Sequence, residues 1–224
     1  ALIKLRLAED TEGAKQNIYT EWAIEAFEDI TKDFQNPSHA LTTILMRGNT
    51  YPRIYEESED GLSQAFITAK NHDAAEQHLS EMLQRYDSAN IKRGYYLSRT
   101  WYHQGAIAMS KGEYELALKF LRRAEDSAKG KILSTDQYLD LLIQQSRCYT
   151  YLNNLENAMR LLSDVINYSV VSPLRLKAMY LRAEIYELQN RHELAVKQLE
   201  ATANTGGEWA QKAKEKLEQE YGFN

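Results

Sequence analysis

Residues 96–128 read YLSRTWYHQGAIAMSKGEYELALKFLRRAEDSA. Lys111, Gly112 and Glu113 divide this run, because a glycine between charged residues interrupts a helical pattern. Before the break, Trp101, Gly105 and Ala108 are spaced four and three apart. After it, Tyr114, Ala117, Leu121 and Ala124 are spaced the same way. Steps of three and four place side chains on one face of an α-helix. The run therefore predicts two helices joined back to back.

The same register extends in both directions. Ala117 has counterparts at Ala75, Ala158 and Ala195, and each is followed four residues later by a leucine: Leu79, Leu121, Leu162 and Leu199. Twelve residues before each alanine stands a small residue: Ser63, Gly105, Ser146 or Ala183. Three residues before each alanine is His72, Tyr114, Leu155 or His192. Small residues are needed where two helices cross, since a large side chain would hold the backbones apart. The leucines and aromatics then fill the space between one helix pair and the next.

The order Trp101, Gly105, Ala117, Leu121 resembles the tetratricopeptide repeat, a helix–turn–helix unit of about 34 residues. The alanines here are 42, 41 and 37 residues apart, so helices or loops must be longer than standard. The Lys129–Asp136 run, with Gly130, reads as a loop between repeats. Long repeats of this kind resemble those of some bacterial envelope assembly proteins and polarity-complex scaffolds. The resemblance implies an all-α fold: a right-handed superhelix of antiparallel helix pairs with a C-terminal capping helix. Residues 1–58 would be an N-terminal helical segment with a degenerate repeat. Four repeats would follow over 59–204 and a cap over 205–224, all in one continuous array.

The flanks fit this plan less closely. Leu2, Ile3, Leu5 and Leu7 alternate as a strand would, but in a helical chain they favour a helix, ended by Gly13. Residues 14–35 predict a helix whose apolar face carries Ile18, Trp22, Ala23, Ala26, Phe27, Ile30 and Phe34. Asn36, Pro37 and Ser38 should stop it. Ser38 can cap a helix through Leu41, Ile44 and Leu45, weakened at 48–50 and at Pro52 and resuming near Arg53. In the last segment Trp209, Ala213, Leu217 and Tyr221 share a face, with Lys212, Lys214, Glu215, Lys216 and Glu218 turned to water. Gly206 and Gly207 precede this helix and Gly222 ends it.

Composition narrows the chemistry. The formal net charge is −5 with both signs mixed along the chain, which argues against a nucleic-acid surface built on overall charge. A lone Cys148 cannot form an intramolecular disulfide, which suits a cytoplasmic protein and equally a bacterial periplasmic one. No apolar run is long enough to span a membrane. The chain starts at Ala, which suits a removed signal or anchor that once tethered it at an envelope. His39, His72, His78, His103 and His192 offer no pair at the spacing of a helical metal site. Cys148 reads as a small buried residue, and the abundant Asp and Glu read as the solvated faces of amphipathic helices. Neither a glycine-rich phosphate loop nor a nucleophile elbow is present, so no enzyme, cofactor or metal is expected.

What remains is binding. In the resembled family the first helix of each pair lines a concave groove. Carried onto this sequence, the partner-binding residues are Arg99, Tyr102, Met109, Arg147, Tyr151, Lys177 and Tyr180. The resemblance places Ala106, Asp140, Ile143, Thr150, Glu184, Glu187 and Leu188 along the same groove. Tyr and Arg suit such a role because they combine buried area with directed hydrogen bonds. Repeats that clamp a chaperone tail carboxylate need Lys, Asn and Arg at set positions. Those positions hold Asp60, Gln64, His103, Asp140 and Gln144, or one repeat on Tyr102, Ala106, Gln144, Lys177 and Leu181, so no such clamp is expected. The reading is a non-catalytic bacterial scaffold or adaptor whose partner is an extended segment or helix of another protein. The alternative is a chaperone or regulator for secreted or envelope proteins. Residues 1–58 either cap the array or pair with another copy.

Overall fold

The structure, a computed structural model, describes residues 1–35, 53–129, 132–168 and 172–222. Within them every regular element is an α-helix. The eleven described helices are α1 (Leu2–Glu9), α2 (Ala14–Gln35), α3 (Arg53–Thr68), α4 (His72–Ser88), α5 (Tyr95–Ser110), α6 (Tyr114–Ser127), α7 (Thr135–Tyr151), α8 (Leu155–Ile166), α9 (Leu174–Leu188), α10 (His192–Ala203) and α11 (Glu208–Tyr221). They pack pairwise, α3 with α4, α5 with α6, α7 with α8 and α9 with α10. The chain forms two compact units, Ala1–Ile132 and Leu133–Asn224. The expected stop at Asn36–Ser38, the cap at Ser38, the helix through Leu41, Ile44 and Leu45, and the breaks at 48–50 and Pro52 lie outside the described residues, as does Gly130.

The repeat register is the core. Ala75, Ala117, Ala158 and Ala195 have no exposed surface, and neither do Leu79, Leu121, Leu162 and Leu199. Ser63, Gly105, Ser146 and Ala183 are buried opposite them. The reason is clearest at Gly105: a Cβ there would stand 2.8 Å from Leu121 Cγ. α5 and α6 approach so closely that only hydrogen fits between backbone and leucine. Gly61 does the same job between α3 and α2, where a Cβ would meet the Phe27 ring at 2.4 Å.

The turn inside each pair shows a further regularity. Five residues before each register alanine, Lys70, Gly112, Asn153 and Asn190 adopt left-handed backbone, with φ of 57°, 77°, 56° and 58°. Each is followed by an amide that reaches back to the end of the first helix: Asn71 N to Phe66 O, Glu113 N to Ala108 O, Asn154 N to Tyr149 O and Arg191 N to Tyr186 O, at 2.8–2.9 Å. This is the Schellman arrangement, which satisfies carbonyls that would otherwise be orphaned at the helix end. Asn71 and Asn154 then cap the second helices by accepting from Ala74 N and Asn157 N. Ser134 opens α7 with a reciprocal capping box to Gln137.

Three expectations need correction. Ile18 and Trp22 do not lie on the buried face of α2: they are 45% and 48% exposed, and Thr20, Ala23, Phe27 and Thr31 are buried instead. Periodicity identified the helix, but small residues decide which side a neighbour can approach. Carboxylates are not confined to the solvated face, since Glu59 is 1% exposed. Lys216 turns inward from α11 to pair with Glu187 at 3.0 Å, with Glu220 at 3.2 Å beyond it. The rest of α11 fits its pattern. Ala213 and Leu217 pack with Ala183, Leu199 and Ala203, Tyr221 lies against that cluster, and Gly222 ends the helix in left-handed backbone.

Candidate protein-binding faces

The seven residues expected to bind a partner divide between the units. Arg99, Tyr102 and Met109 are on α5; Arg147 and Tyr151 are on α7; Lys177 and Tyr180 are on α9.

In the first unit, Asp60 and Gln64 lie one turn apart on α3, and Arg99 and His103 one turn apart on α5. The Arg99 Nε–H donates to both Asp60 carboxylate oxygens at 3.1 and 3.2 Å, and its Nη2 donates to Gln64 Oε1 at 3.0 Å. His103 Nε2 lies 3.0 Å from Asp60 Oδ1. Gln64 also donates to Glu9 Oε1, tying α3 to α1. Burial alone would raise the Asp60 carboxyl. Hydrogen bonding and charge at His103, with the Arg99 guanidinium, outweigh it and hold the group below its usual range. Arg99 is therefore spent within the fold: it joins neighbouring first helices rather than offering a cation to a partner. Tyr102 is half-buried, edge-on to His103 with ring centroids 5.9 Å apart. Met109 is half-buried as well.

Between α3 and α4 sits a second buried carboxylate. Arg85 Nη2 donates to Glu59 Oε2 at 2.7 Å, and His78 Nε2 lies 3.0 Å from the same oxygen. Burial works against ionisation here too, but His78 and Arg85 win and hold Glu59 at about 2. Its other oxygen, Oε1, is buried without a hydrogen bond to a described residue.

In the second unit the polar groups form a looser chain. Lys177 Nζ pairs with Asp140 Oδ1 at 3.2 Å, Gln144 Nε2 donates to Asp140 at 3.3 and 3.4 Å, and Arg147 Nη1 donates to Gln144 Oε1 at 3.1 Å. Beside Arg147 an open recess is lined by Thr150, Tyr151, Leu181, Glu184 and Ile185, with Leu162 of α8 also on its wall. Tyr151 at its rim is 57% exposed. Burial raises the Glu184 carboxyl above its ordinary value, with Lys216 pulling the other way and Glu187 adding to the rise. Tyr180 is not open in the same sense, because it packs against Trp209 of α11 with centroids 5.4 Å apart. Cys148, behind this face, is fully buried, and burial pushes its thiol up to about 11 despite nearby Arg147. That is the environment of an inert core cysteine.

Reasoning from sequence missed the cross-helix ties, although a signal for them exists. Eighteen residues before each register alanine stand Glu57, Arg99, Asp140 and Lys177, alternating in sign. The series picks out the Lys177–Asp140 pair, whereas Arg99 takes Asp60, three residues after Glu57.

A tetratricopeptide-repeat family model matches residues 98–130. No curated protein matches the sequence. Among solved structures, a variant of a kinesin-light-chain-like protein of Podosopora anserina, with nearly identical TPR-like repeats, superposes with a TM-score of 0.66 at 16% identity over 95% of each chain. MamA superposes with a TM-score of 0.54 at 16% identity, covering 93% of this chain and 95% of that one. Among the described residues, no helix is long and apolar enough to cross a membrane. The pairwise all-α packing, the fourfold register and these likenesses agree: the chain carries a tetratricopeptide repeat and has the tetratricopeptide-like repeat fold.

Proposed function

We propose that this chain is a non-catalytic scaffold or adaptor that holds a segment of a partner protein against the first helices of its repeats, chiefly α7 and α9. The observation that supports this most is the recess beside Arg147. It joins a guanidinium and an exposed tyrosine on α7, Arg147 and Tyr151, to a half-buried carboxylate on α9, Glu184. Arg and Tyr so placed are the residue types that carry most binding energy at protein interfaces. Leu188, 59% exposed at the end of α9, adds apolar surface on the same helix.

The test uses Arg147→Ala with Tyr151→Ala beside the wild type. Affinity capture from native-host extracts identifies the partner, and titration of that purified partner then gives the affinities. The double variant should bind at least tenfold more weakly, which corresponds to about 1.4 kcal/mol. Its thermal unfolding should barely move, because Tyr151 is exposed and, among the described residues, the Arg147 guanidinium hydrogen-bonds to Gln144 of its own helix. Equal binding by both proteins would remove these helices from the interface. Parallel loss of binding and stability would return Arg147 to a packing role.

A further inference from the structure

The lining of the recess beside Arg147 restricts what a partner can place there. Among the described residues two charged groups line it, Arg147 from α7 and Glu184 from α9. Leu162, Leu181 and Ile185 give it an apolar wall, and the hydroxyls of Ser146 and Thr150 donate to carbonyls of their own helix. Its volume is about 350 Å³, including the space open to solvent. That suits a residue of extended chain rather than a helix, which is about 10 Å across with its side chains.

Neither charge is satisfied within the fold. Glu184 is half-buried and makes no hydrogen bond or ion pair with a described residue. Burial raises its carboxyl, and Lys216 and Arg147 offset only part of that. Arg147, also half-buried, gives one N–H to Gln144 and leaves its other donors unused among the described residues. The remaining charged groups of α7 and α9 are occupied or remote. Asp136 accepts from Ser172, Asp140 pairs with Lys177, Arg182 donates to Gln198, and Glu187 pairs with Lys216. Arg175 stands more than two turns before Glu184.

The recess is therefore dipolar and neutral in sum. A basic side chain placed in it would gain Glu184 but meet Arg147, and an acidic one would gain Arg147 but meet Glu184. A neutral group with one acceptor and one donor satisfies both charges at once. A peptide group is such a group: its C=O accepts, its N–H donates, and the planar trans bond points them in opposite directions. Both hydrogen bonds would be charge-assisted, and therefore strong. A helix uses these groups internally, whereas an extended segment offers them. We propose that the recess takes one uncharged residue of an extended protein segment, its peptide group bridging Arg147 and Glu184 and its aliphatic side chain lying on Leu162, Leu181 and Ile185. This rests on the scaffold reading for the source of the segment and narrows it to a neutral, extended stretch at this point.

Nuclear magnetic resonance titration of the isotopically labelled chain with capped single residues tests this, read at the amides of 147–151 and 181–188. The probes are N-acetyl-leucine N-methylamide and its lysine and aspartate counterparts. The leucine probe should bind most tightly, with a dissociation constant of about 1 mM. Arg147→Ala and Glu184→Ala should each weaken it about tenfold, as expected for one charge-assisted hydrogen bond. They should also turn the preference in opposite directions, Arg147→Ala toward the lysine probe and Glu184→Ala toward the aspartate probe. A folding defect would lower all three probes together and could not produce that reversal. Wild type that favours either charged probe overturns the proposal, as does a leucine probe that is indifferent to both substitutions or shifts other amides. The probes need no partner, so the two readings fail separately. A leucine probe seated as described supports this assignment even if Arg147→Ala with Tyr151→Ala leaves partner capture intact. A partner lost by that pair, with no probe in the recess, overturns this assignment and keeps the scaffold.

Discussion

The two units solve the same packing problem with different firmness. In each, a cation at the same register position ties one first helix to the one before it: Arg99 to Asp60, and Lys177 to Asp140. In the first unit the tie is a closed cluster. Arg99 reaches both carboxylate oxygens and Gln64, while His103 takes the remaining approach to Asp60. In the second the cation is a lysine at 3.2 Å from Asp140, Gln144 donates to the same carboxylate, and the contacts run on to an arginine at the edge of an open recess. A planar guanidinium can satisfy several acceptors in a fixed geometry, whereas an ammonium is a point charge. Where the tie is complete, the polar groups hold the fold. Where it is partial, it leads to the recess that we propose meets a partner.

The sharpest way to break this contrast is to truncate the two acids in turn. Asp60→Ala strands the Arg99 guanidinium, whose side chain is only 20% exposed. It should cost about 3 kcal/mol, as expected when one member of a buried pair is removed. Asp140→Ala removes the longer Lys177 and Gln144 contacts of a carboxylate that is 25% exposed, against 15% for Asp60, and should cost about 1 kcal/mol or less. Denaturant unfolding measures both. Equal costs would mean that the two ties are energetically alike and that the recess owes nothing to a weaker one.

Acid should act with opposite sign on Asp60 and Glu59 of α3 and on Glu184 of α9, with Glu56 of α3, raised by burial, offsetting part of the loss in the first unit. Asp60 and Glu59 have folded pKa values below their unfolded ones, Glu59 at about 2. Their contribution is present above the unfolded range of about 4 and is lost as pH falls toward the folded values. Glu184 is shifted the other way, because burial raises it. Its contribution is present below the unfolded value and is lost as pH rises through the folded one. Amide exchange between about pH 3 and 6, corrected for intrinsic rates, should therefore show protection falling in α3 and α5 as acid is added. α7 and α9 should lose less, and Glu184→Gln should remove whatever they gain. Parallel loss in all four helices would contradict the opposite shifts.

What the sequence revealed, and what it hid, follows from how far each feature reaches. The register alanines and leucines were legible because close helix crossing restricts residue type at fixed spacings, four times over. The α11 stripe was legible for the same reason. The partner of Arg99 was not, because Asp60 lies 39 residues away on a different helix. Glu59 and Lys216 read as solvated because one charge on an amphipathic helix gives no sign of a buried counter-charge. For α2, periodicity gave the helix but not its covered side. Ile18 and Trp22 look like core until Gly61 is seen to admit the Phe27 ring. For the proposed binding residues, the sequence supplied Arg147 and Tyr151 by position. Only packing separates them from Tyr180, which lies against Trp209.

The smallest effect concerns the turns inside the pairs, where the first unit is the weaker. Gly112, Asn153 and Asn190 are residue types that tolerate left-handed backbone, but Lys70 at φ 57° is not. A Cβ in this conformation crowds the following carbonyl, so Lys70 carries a cost its counterparts largely avoid. Its side chain offsets little, since the residue is exposed and makes no ion pair with a described residue. Lys70→Gly should therefore stabilise the protein by up to about 1 kcal/mol, less the entropy that glycine adds to the unfolded chain. Lys70→Asn should recover part of that gain without the entropic loss. The converse change, Gly112→Lys, should destabilise by a similar amount, because it imposes the Lys70 problem on the best-matched repeat. If thermal melts show Lys70→Gly to be neutral and Gly112→Lys to be costly, the difference lies in the surroundings of the two turns rather than in their shared backbone geometry.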